Sequence, residues 1–250
     1  MGAAMRERLR RVRVGGRLVL GLTAAAALAG AAIAGAASVV ALPGEMPADE
    51  RTRLERLAEA AAVSTRVATD PFVTRRVIFE YLLDHPEFAS HVTRALRLGR
   101  YKIWRTSEGL FLDDGWGATG SFAVIHGAAG RRVMYARGAY RQTLVPTING
   151  EAVVMIEYDV TPSSDGRDLL QATVSGFVKL DSSLVTMATK MAGPIAQKKA
   201  DLEARRLMRT FARVSRVIEE NPAAVLEKLR QRPDVPPREL EEFGRLLRTR

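Results

Sequence analysis

Between residues 167 and 221 the hydrophobic pattern changes its period once, and that change limits the folds open to the chain. Leu170, Ala172, Val174, Gly176, Val178 and Leu180 alternate with Gln171, Thr173, Ser175 and Lys179. A period of two with one apolar face predicts a half-buried strand. Leu184, Met187, Ala188, Met191 and Ile195 then follow at three- and four-residue steps, and Ala200, Ala204, Leu207, Met208, Phe211, Val214 and Ile218 continue the stripe. That spacing predicts an amphipathic helix. Gly193-Pro194 is expected to kink or restart it, because proline removes a backbone donor and clashes with the preceding turn. Residues 195–220 alone would span roughly 39 Å at 1.5 Å per residue. A helix of that length needs a broad apolar surface to lie on, and the concave face of a preceding sheet supplies one.

The text before residue 167 predicts such a sheet. Residues 49–60 have helical spacing, and 61–69 read as a first strand. Asp70-Pro71 resembles a helix start, with Thr74 as the alternative; the apolar set Phe72, Val77, Ile78, Phe79, Leu82 and Leu83 belongs to this helix. Pro86 opens a second helix that Gly99 is expected to stop. Strands then follow at 101–106, 110–113, 116–126, 131–140 and 151–160, separated by Gly-containing turns; Asn149-Gly150 reads as a hairpin turn. Consecutive strands joined by short turns mean an antiparallel sheet. After the long helix, Asn221-Pro222 starts a shorter one, and residues 240–247 form a last helix with basic ends.

The N-terminus reads differently. Arginines crowd residues 1–17, and residues 18–42 contain no charge. Small-residue patterns at Ala34-Gly35-Ala36 and Ala36-Ala37-Ser38 suit a cleaved signal peptide, and the 25 uncharged residues also suit an uncleaved anchor. Either places the domain outside the cytoplasm, periplasmic or secreted if cleaved and otherwise anchored facing out. Six of the 38 basic residues and one of the 28 acidic ones lie in this leader, so much of the net charge of +10 does not belong to the folded part. A nucleic-acid partner, which requires a basic patch on the domain, is therefore not expected. The chain has no cysteine, which excludes disulfides, thiol catalysis and Cys-based zinc sites.

The order strand, two helices, six antiparallel strands, long C-terminal helix resembles the helix-grip fold of the START-like (SRPBCC, Bet v 1-like, polyketide cyclase-like) superfamily. The segments VIFEYLLDHPEF (77–88), RYKIWR (100–105) and VSGFVKLDSSLVTMATKMAGPIAQKKADLEARRL (174–207) are similar to its post-strand helix, its second strand, and its last strand with the kinked lid helix. The resemblance covers about 61–221. It implies an α+β fold in which a curved antiparallel sheet of about seven strands wraps around a long C-terminal helix, with two short helices after the first strand. The expected organisation is a signal peptide or membrane anchor (1–42), a linker with a short helix (43–60), the helix-grip domain (61–221) and a helical tail (222–250). Family members enclose an apolar cavity for lipids, sterols, polyketides or aromatic ligands; some are cyclases or hydrolases.

Candidate site residues follow from that cavity. Tyr101, Trp104, Phe111, Trp116, Phe122, Tyr135, Tyr140 and Tyr158 cluster in the strands, and Met187, Met191 and Met208 lie on the helix; all are candidates to line an apolar ligand, with core packing as the plain alternative. For catalysis only Asp113, Asp114 and His126 stand out. Adjacent strand residues point to opposite faces, so the two carboxylates line one pocket only across a turn or bulge. His126 shares a strand face with Phe122 and Val124 and is expected to point into the cavity if catalytic, with a structural role as the plain alternative. His85 and His91 read as structural. No metal-ligand spacing or nucleophile elbow appears, and no cofactor is expected. Arg205, Arg206, Arg209, Arg213 and Arg216 form a basic side of the helix, suited either to anionic headgroups or to ion pairs with Asp201, Glu203 and Glu219. The expected function is binding, and possible transfer, of a lipid or other hydrophobic molecule, with a membrane surface as a second partner. The alternatives are an enzyme in the same cavity or a membrane-tethered interaction module.

Overall fold

A computed structural model describes residues 41–250 except 108, 144, 165–166, 182–184 and 249–250, and except the side chains of 142, 145–146 and 185–196. The sheet contains eight antiparallel strands: β1 (Val63–Ala68), β2 (Phe72–Thr74), β3 (Lys102–Thr106), β4 (Gly109–Asp113), β5 (Ala118–Ala128), β6 (Arg131–Gln142), β7 (Val145–Pro162) and β8 (Asp168–Leu180). Their order is β1-β8-β7-β6-β5-β4-β3, with β2 also paired to β8. The helices are α1 (Ala48–Glu59), α2 (Arg76–Asp84), α3 (Pro86–Ala95), α4 (Val185–Glu220), α5 (Pro222–Arg230) and α6 (Pro237–Arg248). The curved sheet gripping α4 is the helix-grip fold.

Four local expectations are corrected. Asp70-Pro71 does not start a helix: Phe72–Thr74 pairs with Leu170, Leu169 and Asp168 as an eighth strand, and α2 begins at Arg76. Asn149-Gly150 is not a turn but lies inside β7, where Gly150 pairs with both Gly138 and Leu180. A Cβ on Gly150 would stand 2.5 Å from the Lys179 carbonyl, so close strand approach accounts for this glycine. α3 ends before Gly99, with Arg97 in the left-handed region at φ 57°. α4 continues as one helix through Gly193-Pro194, without a restart.

Three apolar clusters hold the domain. Between sheet and α4, Phe72, Phe79, Leu83, Ile156, Tyr158, Leu170, Ala172, Val174, Ala204 and Met208 are buried together. On the convex side, α1 and the chain before it cover the back of the sheet through Leu42, Met46, Leu54 and Leu57 against Val133, Val153 and Met155. The third cluster joins α2, α3 and the end of α4 to α5 and α6, with Ile218, Leu229 and Phe243 fully buried. The C-terminal helices thus complete a core. Among the described residues no helix is long and apolar enough to cross a membrane; the segment expected to be a signal peptide or anchor lies outside them up to residue 40.

Candidate functional site

Residues directly opposite in an antiparallel ladder share a face, so the register identifies what faces α4. One cross-strand row runs Leu110, Phe122, Ala136, Ala152, Val178 and Val63. The next runs Ile103, Leu112, Gly120, Gly138, Gly150 and Leu180. Three consecutive glycines sit in it because the backbones approach too closely for side chains. A Cβ on Gly138 would stand 2.4 Å from the Thr119 carbonyl, and one on Gly120 2.5 Å from that of Arg137. The glycines crease the sheet, and with Ala136 and Ala152 they leave a floor of small residues.

The two ends of this concave face differ. Toward α2, Phe79 packs edge-on against Tyr158 and Phe211 at ring-centroid distances of 5.0 and 5.5 Å, and Met208, Ile156 and Val174 fill what remains. Toward the glycine row, Leu112, Phe122, Ala136 and Ala152 stay half-buried; Val124, one row from Phe122 on the side of the aromatic end, is 38% exposed. α4 packs against β1, β2 and β8; on its inner face Ala204 and, one turn earlier, Ala200 precede Met208.

A polar network joins α4 to the turn between β4 and β5. Asp114, 2% exposed, accepts the Trp116 and Ala118 N–H groups at 2.7 and 2.9 Å on Oδ1, and the Lys199 ammonium of α4 at 2.6 Å on Oδ2. Lys199 also donates to Glu203 at 3.0 Å and lies 4.9 Å from the centroid of the Tyr140 ring. Arg206 donates to Glu203 at 2.6 Å and stacks 4.2 Å over Trp116, which meets Tyr101 edge-on at 5.9 Å. The Tyr101 hydroxyl is buried without a hydrogen-bond partner among the described residues, and burial raises its pKa well above the ordinary phenol value. On the other flank Gln197 donates to the Ser64 carbonyl of β1 at 2.9 Å. One turn of α4 is thereby fastened to edge strand β1 and to the turn between β4 and β5.

The expected ligand-lining residues divide between the faces. Tyr101, Phe122, Tyr140, Tyr158 and Met208 lie on the α4 side, with Tyr158 and Met208 in the sealed end, and Trp116 sits in the turn between β4 and β5. Trp104, Phe111 and Tyr135 face the other way. Trp104 and Phe111 pack on each other at 4.9 Å on the convex face, and Tyr135 pairs with Val153, under the Arg53 guanidinium. The side chains of Met187 and Met191 lie outside the described residues. Among the catalytic candidates, Asp113 accepts the Gly115 N–H at 2.8 Å, and Asp114 caps the same turn. His126 does not share the face of Phe122 and Val124. A bulge between Val124 and His126 brings it opposite Val133, on the convex side. No cluster of three metal-ligating residues occurs among the described residues.

Sequence reasoning named Arg206 and Glu203 as helix-face ion-pair candidates and missed Lys199 with its bond to Asp114, although Lys-x-x-x-Glu-x-x-Arg is visible as helical i, i+4, i+3 spacing. It also missed a second polar network at the sealed end. There Arg132, 8% exposed, forks onto both Asp84 oxygens at 2.7 and 2.9 Å, and the Tyr158 hydroxyl donates to Glu80 at 2.7 Å. Burial and the Glu80 bond raise the Tyr158 pKa, so the group stays a phenol at neutral pH.

No protein-family profile matches the chain, and no curated protein matches its sequence. Solved structures similar in fold include the protein XoxI from Bacillus cereus (11% identity, TM-score 0.36, 63% of this chain and 98% of that one). A conserved protein from Geobacillus kaustophilus is similar at 13% identity and TM-score 0.34, over 63% of this chain and 95% of that one. A START superfamily protein from Mycobacterium smegmatis is similar at 13% identity and TM-score 0.30, over 62% of this chain and 97% of that one. The START-like assignment is one of fold, and it rests on the strand order, register and gripped helix described above.

Proposed function

We propose that the domain binds a hydrophobic molecule on the open half of its concave face, between the Gly/Ala floor of β5–β7 and α4. The observation that carries this reading is the half-buried strip of Leu112, Phe122, Ala136 and Ala152, on the same face as a fully packed aromatic end. Covering apolar surface stabilises a complex by roughly 25 cal/mol per Å². The polar network of Tyr101, Asp114, Lys199 and Arg206 gives the ligand a polar end to meet. Asp113, Asp114 and His126 do not assemble an acid–base pair, so binding fits the geometry better than catalysis. The charge-free stretch 18–42 behind an arginine-rich segment supports an exported domain, which a protease-protection assay on intact cells tests.

The test of binding is a pair of fill-in variants, Ala136→Phe and Ala152→Phe. A lipid-like or polycyclic fluorescent probe is expected to bind the full chain, and each variant is expected to weaken it at least about tenfold while keeping the thermal midpoint near that of the wild type. Variants that bind the probe unchanged would overturn the reading. So would variants that lose about 1–3 kcal/mol of stability, the cost of overpacking a filled core.

A further inference from the structure

We infer that the solvent face of α4 is a docking surface for an anionic phospholipid bilayer. Lys198, Leu202, Arg205, Arg209, Arg213 and Arg216 are all exposed, and their spacing puts them in one file. At 100° per residue they fall within about 80° of the helix circumference, over about 27 Å of its length. The acidic residues that would neutralise such a file are engaged elsewhere. Asp201 accepts from Gln197, Glu203 holds Lys199 and Arg206, and Glu219 pairs with Arg75 at 3.2 Å. None of the five cations has an ion-pair partner among the described residues; Arg209 donates only to the Arg205 carbonyl at 3.3 Å. Glu220 is the one exposed acid that ends the file.

The charge distribution of the whole domain points the same way. With the leader's six basic residues and one acidic residue set aside, 32 basic and 27 acidic residues remain, an excess of five. The file gathers five exposed cations against one exposed acid, Glu220, a local surplus of four. A plane meets a straight helix along one line, which is the shape of this charge. A nucleic-acid duplex would demand cations that follow two curved backbones, and this face offers no aromatic side chain to a base. Leu202, 37% exposed in the middle of the file, adds an apolar side chain that a bilayer's headgroup region accommodates and a phosphate backbone does not use. The inference stands apart from the ligand reading, since vesicle docking needs no occupied cavity.

The test uses the full chain, which has no native cysteine. Leu202→Cys carries an environment-sensitive fluorophore, and the protein is reconstituted with phosphatidylcholine vesicles with and without phosphatidylglycerol. The label reports docking of this face, independently of any attachment through residues 18–42. A blue shift is expected in the anionic vesicles only, and added salt should reverse it. Each exposed cation near an anionic surface contributes on the order of fivefold, so the combined Arg205→Gln, Arg209→Gln, Arg213→Gln and Arg216→Gln variant should lower the docking equilibrium by several hundredfold. Removing four other exposed cations (Arg56→Gln, Lys102→Gln, Arg137→Gln and Arg141→Gln) should leave it within about threefold. An equal shift in neutral vesicles, retention of docking by the α4 variant, or equal loss in the control variant would each overturn the inference. Displacement of the label from vesicles by a nucleic-acid duplex would assign the face to a different partner and overturn it as well.

Discussion

Replacing Asp114 by Ala should destabilise the domain far more than replacing its partner Lys199 by Met. The carboxylate does two jobs at 2% exposure: it satisfies two backbone N–H groups of the β4–β5 turn and neutralises a lysine whose side chain is 14% exposed. Removing one member of a buried ion pair costs about 3–5 kcal/mol, because the other charge is left in a low-dielectric site. Here Lys199 keeps Glu203 at 3.0 Å, which moves the estimate to the lower end. Two turn N–H groups left without acceptors add a cost of about 1–3 kcal/mol each where water does not reach them. At the lower end of each range these sum to about 5 kcal/mol for Asp114→Ala. Lys199→Met leaves Asp114 with both N–H donors and Glu203 with Arg206, so about 1–2 kcal/mol is expected. Asp114→Asn retains an acceptor oxygen for the turn and should fall between them. Urea unfolding followed by tryptophan fluorescence measures all three, and Trp116 lies in the affected turn. In a thermal melt the Ala variant corresponds to a fall of roughly 10–20 °C for a domain of this size. The double variant should show a coupling above about 1 kcal/mol. Equal losses from Asp114→Ala and Lys199→Met, or a loss below about 1 kcal/mol for the former, would refute the argument that the carboxylate fastens α4 to the sheet.

The glycine crease makes a local prediction: Gly138→Ala puts a methyl 2.4 Å from the Thr119 carbonyl and 3.0 Å from Gly120 Cα, and should cost at least about 2 kcal/mol. Gly44→Ala, with nothing within 4 Å, should stay within about 0.5 kcal/mol in the same thermal melts. Acid should weaken the junction of α3 with the chain between α5 and α6. Arg232, with Arg94 and His91, holds the Asp234 carboxyl down to about 2, and burial lowers the His91 imidazole. Both folded-state values lie below the unfolded ones, so their contributions are present at neutral pH and are lost on acidification, for His91 below about pH 6.5 and for Asp234 between about pH 4 and 2. The Asp234 side chain is 44% exposed, so screening holds its share below about 1 kcal/mol; Asp234→Asn should flatten the lower limb of a plot of urea midpoint against pH.

The period change near residue 180 was readable because burial imposes it: β8 must alternate to keep one face on the core, and α4 must repeat at three and four to keep one stripe on the sheet. The turns were less legible. Asn149-Gly150 has the chemistry of a hairpin turn, yet tertiary contact decides its role, because the Lys179 carbonyl leaves no room for a Cβ. The bulge beside His126 shows the same limit. One inserted residue moves the imidazole to the other face, and no local signal in Val124-Ile125-His126 announces it. Among the strand aromatics, composition marks Trp104 and Tyr135 as equal to Phe122 and Tyr140. Only the register separates them, and register depends on partners far away in sequence. The ion pair of Asp114 and Lys199 joins residues 85 positions apart, which no spacing rule reaches.

Why the concave face keeps its small residues separates a ligand floor from a merely bent sheet. Curvature explains the glycines at 120, 138 and 150, where neighbouring backbone leaves no space for a side chain. It does not explain Ala136 and Ala152, which pair with each other in the adjacent row and already carry Cβ atoms. A strand position that faces a core gains about 1.5–3 kcal/mol by holding a Val, Leu or Ile in place of a small side chain, provided the space is there to fill. Two such positions side by side forgo that stabilisation while Phe122 and Val178 flank them and remain only half-buried. At the other end of the same face the chain fills equivalent positions with Ile156, Tyr158 and Val174. Alanines in this row are the arrangement expected if another molecule supplies the missing apolar volume. The Ala136→Phe and Ala152→Phe variants therefore decide the matter by a difference in sign: a vacant floor accepts the rings and loses its ligand, whereas a packed one rejects the rings and loses stability.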